Sequence, residues 1–126
     1  ALVHKVLSTN TLMRSRAVMH GIYMDEKIEQ YILEIVFATR TPGEYGMRNL
    51  TPLINYGASP RATIAMAQAA RAMAFLRRRG YVIPEDVRSI CADVLRHRIG
   101  LSYEAEAENV TQEDIITKIL NTVEVP

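Results

Sequence analysis

The chain has few aromatic residues, no tryptophan, a single cysteine and no long apolar run. One cysteine, Cys91, excludes an internal disulfide and fits a reducing compartment, so we expect a cytoplasmic location. No apolar stretch approaches the roughly 18 residues of a membrane-spanning helix, so no membrane span is expected. The tyrosines are scattered along the chain and form no stacking platform for nucleic-acid bases.

The charge of the chain is nearly balanced but unevenly distributed. A net charge of +1 argues against a dedicated nucleic-acid or membrane-surface binder. Residues 40–98 hold ten arginines and four acids, whereas residues 99–126 hold six acids and one lysine. Contacts within the fold can neutralise both regions, so this asymmetry does not indicate a charged partner, and we expect no nucleic acid.

Signatures of self-contained catalysis are also missing. There is no Gly-Lys-Ser/Thr phosphate loop, so the chain alone is not expected to bind nucleotide in the usual way or to hydrolyse ATP. His4, His20 and His97 are far apart and lack metal-ligand spacing with Cys91, so no metal site is expected. Cys91 itself lies on the apolar stripe of a predicted helix, which indicates an inert core cysteine.

The hydrophobic periodicity predicts an all-α, compact bundle of about five helices. The predicted helices cover about 8–18, 25–40, 60–79, 84–95 and 111–123. Asp25 is expected to cap the second helix, and Thr111 with Asp114 resembles a capping box for the last. The expected core residues are Ile32, Ile35, Met66, Met73, Ile90, Val94, Ile116 and Leu120.

Residues 41–56 form a long internal connection between the second and third predicted helices. They contain two prolines and two glycines and show no clean period. A connection of this length inside a compact domain is unusual and often functional.

The segment Ser59-Pro60-Arg61 is the most informative part of the sequence. Ser59 is a suitable N-cap, and Pro60 suits the first helical position because it has no N–H to leave unpaired. Arg61 would then lie beside free N–H groups and the positive end of the helix dipole, where an anion is favoured and a cation is repelled. Two explanations remain open: Arg61 senses a phosphate, or it is a surface arginine paired with a nearby carboxylate.

Two further charged runs have plainer explanations. Arg77, Arg78 and Arg79 are expected at a helix C-terminus, where the dipole favours cations. Solvated charge, a subunit contact and a nucleic-acid patch all remain open for them. Three acids in the C-terminal region are expected to form a solvated face rather than a metal site: Glu104, Glu106 and Glu108.

Three short motifs follow one another with short spacings: Gly57-Ala58-Ser59-Pro60-Arg61-Ala62, Tyr81-Val82-Ile83-Pro84-Glu85-Asp86-Val87 and Val94-Leu95-Arg96-His97-Arg98. Together they resemble the C-terminal helical lid of MoxR-type AAA+ ATPases, which is related to the lid of magnesium chelatase ATPase subunits. Tyr31-Ile32 and Thr39-Arg40 also fit that pattern. The resemblance covers the chain from about Leu12 to its end.

The resemblance implies a role for each part of the candidate site. Arg61 would be the sensor-2 arginine that contacts the nucleotide phosphates, and Ser59 and Pro60 would be cofactor-binding residues beside it. ATP with Mg²⁺ would be held mainly by an N-terminal ATPase domain, which also supplies the phosphate loop, the Mg-binding acids and the arginine finger that this chain lacks.

The resemblance also implies an assembly and a partner. Residues 1–126 would be a single helical lid domain, a fragment of a longer ATPase, as a start at Ala1 rather than Met suggests. The family implies a ring of neighbouring subunits and chaperone-like work on client proteins, including those with a von Willebrand factor A domain. The alternative is a free-standing helical protein-interaction module with Arg61 in a structural salt bridge.

Overall fold

The computed structural model describes residues 1–126 and is mostly helical. Its α-helices are α1 (Thr9–His20), α2 (Glu26–Arg40), α3 (Arg61–Leu76), α4 (Pro84–Leu95), α5 (Tyr103–Ala107) and α6 (Gln112–Thr122). Three short 3-10 helices cover Pro42–Tyr45, Arg48–Leu53 and Arg96–Arg98, and two strands cover β1 (Ile54–Tyr56) and β2 (Gly100–Leu101). The predicted all-α class is confirmed, with the small sheet as an addition.

Local capping explains where several helices begin. The Asp25 carboxylate accepts the Lys27 N–H at the start of α2. Thr111 and Asp114 form the predicted capping box at α6, because each side chain accepts the backbone N–H of the other residue. At α1 there is a single side-chain cap, in which the Ser8 hydroxyl accepts the Thr11 N–H. These signals are local, and the sequence predicts them correctly.

The core lies around α3, whose most extensive contact is with α4 and which also packs against α2 and α1. Alanines on α3 let its neighbours approach closely, and Ala62, Ala70 and Ala74 are all fully buried. Of the eight expected core residues, five are buried. The other three are partly buried and pack against that core: Met73, Val94 and Leu120.

The sheet and an isolated bridge join segments that are distant in the sequence. Strands β1 and β2 pair antiparallel, with Ile54 opposite Leu101. Tyr23 and Tyr81 form a parallel bridge between the segment before α2 and the segment before α4. The long connection 41–56 therefore contains two 3-10 helices and an edge of this sheet. Periodicity carries no signal for such short strands.

One helix boundary differs from the prediction, and one short helix is additional. Helix α3 ends at Leu76 rather than near residue 79, because Arg78 adopts a left-handed φ of 60° and the chain turns there. Helix α5 was not predicted, and Ser102 caps it by accepting the Ala105 N–H. The nearby acids are exposed as expected: Glu104, Glu106 and Glu108.

Candidate functional site

Helix α3 begins with a turn closed by backbone hydrogen bonds, whereas the sequence predicts a side-chain cap. Pro60 has helical dihedrals, φ −56° and ψ −23°. The Ala62 N–H donates to the Ser59 carbonyl at 2.9 Å, and the Thr63 N–H donates to the Pro60 carbonyl at 3.1 Å. These bonds span three residues, and the first of them occupies the Ala62 N–H, one of the two N–H groups that a Ser59 cap could accept. The expected side-chain cap by Ser59 was therefore wrong: its hydroxyl makes no hydrogen bond, and the side chain is exposed.

Arg61 is the first residue of α3, and its side chain is exposed. It belongs to none of the ion pairs in the chain: Arg77–Asp86, Arg79–Asp86, Arg96–Asp93 and Arg96–Glu113. No hydrogen bond within the chain involves its guanidinium, and the backbone N–H groups of Ser59 and Arg61 have no partner either. The carboxylate partner of the alternative explanation is thus missing, whereas donors for an anion are present.

The end of α2 holds the segment before Arg61. The Thr39 hydroxyl donates to the Val36 carbonyl at 2.6 Å and accepts the Ala58 N–H at 2.9 Å. The Arg40 guanidinium donates to the Ala58 carbonyl at 3.2 Å. Gly57 lies so close to α2 that a Cβ there would be 2.8 Å from the Arg40 Cα. We call Thr39, Arg40, Gly57 and Ala58 the α2–α3 clamp.

A groove of about 250 Å³ lies between α2 and α3, next to the first turn of α3. Ile64 and Leu33 contribute to an apolar wall, with Glu29 and Arg71 as the charged residues of the lining. Arg71 also donates from its Nε to the Ile22 carbonyl at 3.1 Å. This bond gives Arg71 a structural role, and no local sequence pattern predicts it.

The three consecutive arginines after α3 have a partner within the chain. Arg79 binds the carboxylate of Asp86 with two N–H groups at 2.7 and 2.6 Å, and Arg77 adds a third bond at 3.1 Å. Asp86 is fully buried and also accepts the Ile83 N–H at the start of α4. Of the three arginines, two are thus structural, and only Arg78 remains exposed without a bond.

The electrostatics of Asp86 follow from this network. Burial by itself would raise the pKa of the Asp86 carboxyl. Hydrogen bonds from Arg79 and from the Ile83 N–H, together with the charges of Arg79 and Arg77, outweigh burial and hold that pKa below its ordinary value. Asp86 is therefore a charged structural group that joins the end of α3 to the start of α4.

Other polar contacts that the sequence did not reveal join the helices. Arg88 on α4 donates to the Leu120 carbonyl of α6 at 2.8 Å and to the Tyr31 hydroxyl of α2 at 3.3 Å. Arg96, in the third motif, binds Glu113 and Asp93. Asp93 is only three residues from Arg96, whereas Glu113 and both partners of Arg88 are distant in the sequence, so no local pattern identifies those.

Cys91 is a core residue, as expected. It is fully buried, and burial raises the pKa of its thiol to about 12. No three His, Cys, Asp or Glu side chains come together in a group that could hold a metal ion.

Comparison with known proteins decides the family. The model of the AAA lid domain matches residues 49–119. The chain belongs to the AAA lid domain family. This match covers the start of α3, the Arg79–Asp86 network and most of α6, so it includes the three motifs of the resemblance, while Tyr31-Ile32 and Thr39-Arg40 lie before it.

This lid is similar to proteins that are named MoxR. The chain is 39% identical over 122 residues to Chaperone MoxR1 of Mycobacterium tuberculosis, covering 97% of this chain and 32% of that protein. It is 33% identical to Protein MoxR of Methylorubrum extorquens, covering 87% of this chain and 34% of that protein. The lid thus spans about a third of these relatives.

A solved structure has the same fold. The crystal structure named "putative ATPase" from Cytophaga hutchinsonii superimposes with a TM-score of 0.90 and 44% identity, covering 93% of this lid and 36% of that chain. The predicted resemblance to a MoxR-type lid is confirmed. None of the helices has both the length and the apolar character that crossing a membrane would require.

Proposed function

We propose that this lid senses nucleotide in a longer MoxR-type AAA+ ATPase and that Arg61 is its sensor-2 residue. The observation that carries the proposal is the state of Arg61: exposed, without an ion pair, and in the first turn of α3. A cation at this end of a helix is disfavoured unless an anion joins it. Phosphate oxygens are such an anion, and a guanidinium donates to them in a fork-like geometry.

The residues present suit a phosphate. Arg61 provides the guanidinium, while the free N–H groups of Ser59 and Arg61 and the helix dipole provide further positive potential. ATP with Mg²⁺, held mainly by the N-terminal ATPase domain, would supply the phosphoryl group that is transferred. Arg61 would stabilise the charge that develops on that group, and Pro60 would keep the helix start in place.

The alternative of a free-standing interaction module requires a different state of Arg61. In that alternative the arginine is one half of a structural salt bridge, as Arg79 is with Asp86. Arg61 makes no such pair, so the sensor role accounts for its position better.

We further propose the assembly in which this lid works. Residues 1–126 would be one lid unit, packed against its own N-terminal ATPase domain and against neighbouring subunits of a ring. ATP hydrolysis would be coupled to ring assembly and to chaperone-like remodelling of a client, including clients with a von Willebrand factor A domain. The relative named a chaperone supports this direction.

The test is steady-state ATP hydrolysis by the assembled parent protein carrying Arg61→Ala. Losing an arginine that stabilises transition-state charge should reduce turnover by roughly 100-fold or more. Arg61→Lys should rescue turnover only in part, because an ammonium does not reproduce the planar guanidinium. Arg14→Ala, at an exposed arginine of α1, is the matched control and should leave turnover unchanged.

A second measurement concerns the lid alone. Calorimetric titration with ATP should show weak or no binding, since the phosphate loop that supplies most contacts to the phosphates is missing from the chain. Micromolar affinity of the 126-residue chain would contradict the proposed division of work between the lid and the ATPase domain.

A further inference from the structure

The peptide of Ala58 is held from both sides by the last two residues of α2. Its N–H donates to the Thr39 hydroxyl at 2.9 Å, and its carbonyl accepts from the Arg40 guanidinium at 3.2 Å. Thr39 and Asp86 are the two buried residues with polar side chains. The burial of the Asp86 carboxylate is explained by its arginine partners. The Thr39 hydroxyl, in contrast, binds the segment that precedes Arg61.

The chain between Ala58 and Arg61 has little freedom. Only Ser59 and Pro60 separate them, and the proline ring fixes one dihedral at φ −56°. The residue before a proline is also restricted to extended conformations. Ala58 is fully buried, so its methyl group is held as well as its peptide. The backbone position of Arg61 therefore depends on where the α2–α3 clamp holds Ala58.

We propose that Thr39, assisted by Arg40, is a positioning residue that fixes the start of α3 and through it the reach of the Arg61 guanidinium. The proposal rests on the proposed sensor role of Arg61. A displacement of about 1 Å at a reacting group can cost on the order of 100-fold in rate, so a small shift of the helix start is sufficient to matter.

Two substitutions separate the hydroxyl from the volume of the side chain. Thr39→Val keeps the shape but removes the acceptor, which leaves the buried Ala58 N–H without a partner. Thr39→Ser keeps the acceptor and loses only a methyl group. Ile119→Val on α6 is the matched control for lost stability, because Ile119 is buried and does not belong to the clamp.

The first arm of the test is amide hydrogen exchange in the 126-residue chain. Thr39→Val should speed exchange at Ala58 by about tenfold or more through local opening, while Thr39→Ser and Ile119→Val should leave it near the wild-type rate. Equal protection of Ala58 in wild type and Thr39→Val would show that the hydroxyl does not hold the helix start, and would overturn the proposal.

The second arm is ATP hydrolysis by the parent protein, with Thr39→Val alone and combined with Arg61→Ala. Thr39→Val should lower kcat by about tenfold with little change in KM, Thr39→Ser should restore it, and the double variant should be no slower than Arg61→Ala alone. An undiminished kcat in Thr39→Val, the same loss in both backgrounds, or an equal loss in Ile119→Val would overturn the positioning role.

If the proposed sensor role of Arg61 is wrong, the measurements give a different result from the one expected if only the role of Thr39 is wrong. Full turnover in Arg61→Ala would refute the sensor role, whatever Thr39→Val does. In that case the exchange arm still decides whether Thr39 holds the start of α3.

Discussion

The two ends of α3 carry arginines in opposite states. At the C-terminal end, Arg77 and Arg79 bind the buried carboxylate of Asp86. At the N-terminal end, Arg61 is exposed and belongs to no ion pair. The helix dipole favours cations at the C-terminal end and disfavours them at the N-terminal end. The arginine without a partner is thus at the end where an intramolecular partner would be needed most.

This difference separates a structural arginine from a functional one. The arginines at the C-terminal end stabilise the turn from α3 to α4, and removing them should affect folding. The Arg61 side chain makes no hydrogen bond or ion pair within the chain, and its removal should affect only what binds beyond the helix end. The predictions below test that separation, beginning with the largest expected effect.

Arg79→Ala should destabilise the lid strongly, because it leaves the buried Asp86 carboxylate without its two-bond partner. The side chain of Arg79 is 20% exposed, whereas that of Arg77 is 42% exposed and supplies a single bond. Arg77→Ala should therefore cost less than Arg79→Ala. Urea unfolding monitored by circular dichroism gives both values, and the reverse order would contradict this assignment.

Gly57→Ala should destabilise the lid by about 1–3 kcal/mol, since a Cβ has no room against the end of α2 and the backbone must shift. Gly80→Ala is the matched control, because a Cβ at that position would meet no atom within 4 Å. Thermal melts of the two variants should differ clearly. Equal melting temperatures would show that the close approach at Gly57 does not constrain the segment before Arg61.

Acid should weaken the C-terminal end of α3 through Asp86. Its folded pKa lies below the unfolded value of about 3.9, so its stabilisation is fully present above that pH and is lost as the pH falls through the folded pKa. Wild type should therefore lose stability more steeply below about pH 4 than Asp86→Asn does. Parallel stability profiles for the two proteins would remove the carboxylate from the explanation.

The rate at which Cys91 is labelled tests the same comparison, and we expect the smallest effect here. Its thiol is buried with a pKa of about 12, so a thiol reagent at pH 8 should reach it only when α4 opens. Arg79→Ala should speed labelling, because opening becomes easier as stability falls. Arg61→Ala should label at the wild-type rate; faster labelling would show that Arg61 supports the fold after all.

The two ends of α3 also differ in how far the sequence predicts them. The Ser59-Pro60-Arg61 motif correctly predicted a helix start with an exposed arginine, because a helix start depends on neighbouring residues. The cap itself was wrong, since the first turn closes through backbone carbonyls instead of the Ser59 hydroxyl. At the other end, the pairing with Asp86 needed the turn at Arg78, which no periodic pattern indicates.

Long-range contacts limited the rest of the prediction. The capping residues Asp25 and Thr111 act on helices that follow them directly, and both were found. The Thr39 hydroxyl reaches Ala58 across the whole connection 41–56, and the two strands meet across α3 and α4. Such pairs depend on packing, so a single sequence gives no local signal for them.

The most direct measurement compares Arg61→Ala and Arg79→Ala in the parent ATPase, recording turnover and melting temperature for each. We expect Arg61→Ala to keep the wild-type melting temperature and to lose roughly 100-fold in turnover. Arg79→Ala should lower the melting temperature and keep most of its turnover at a temperature where the lid remains folded. Wild-type turnover in Arg61→Ala, with rings intact, would contradict the functional role of the unpaired arginine.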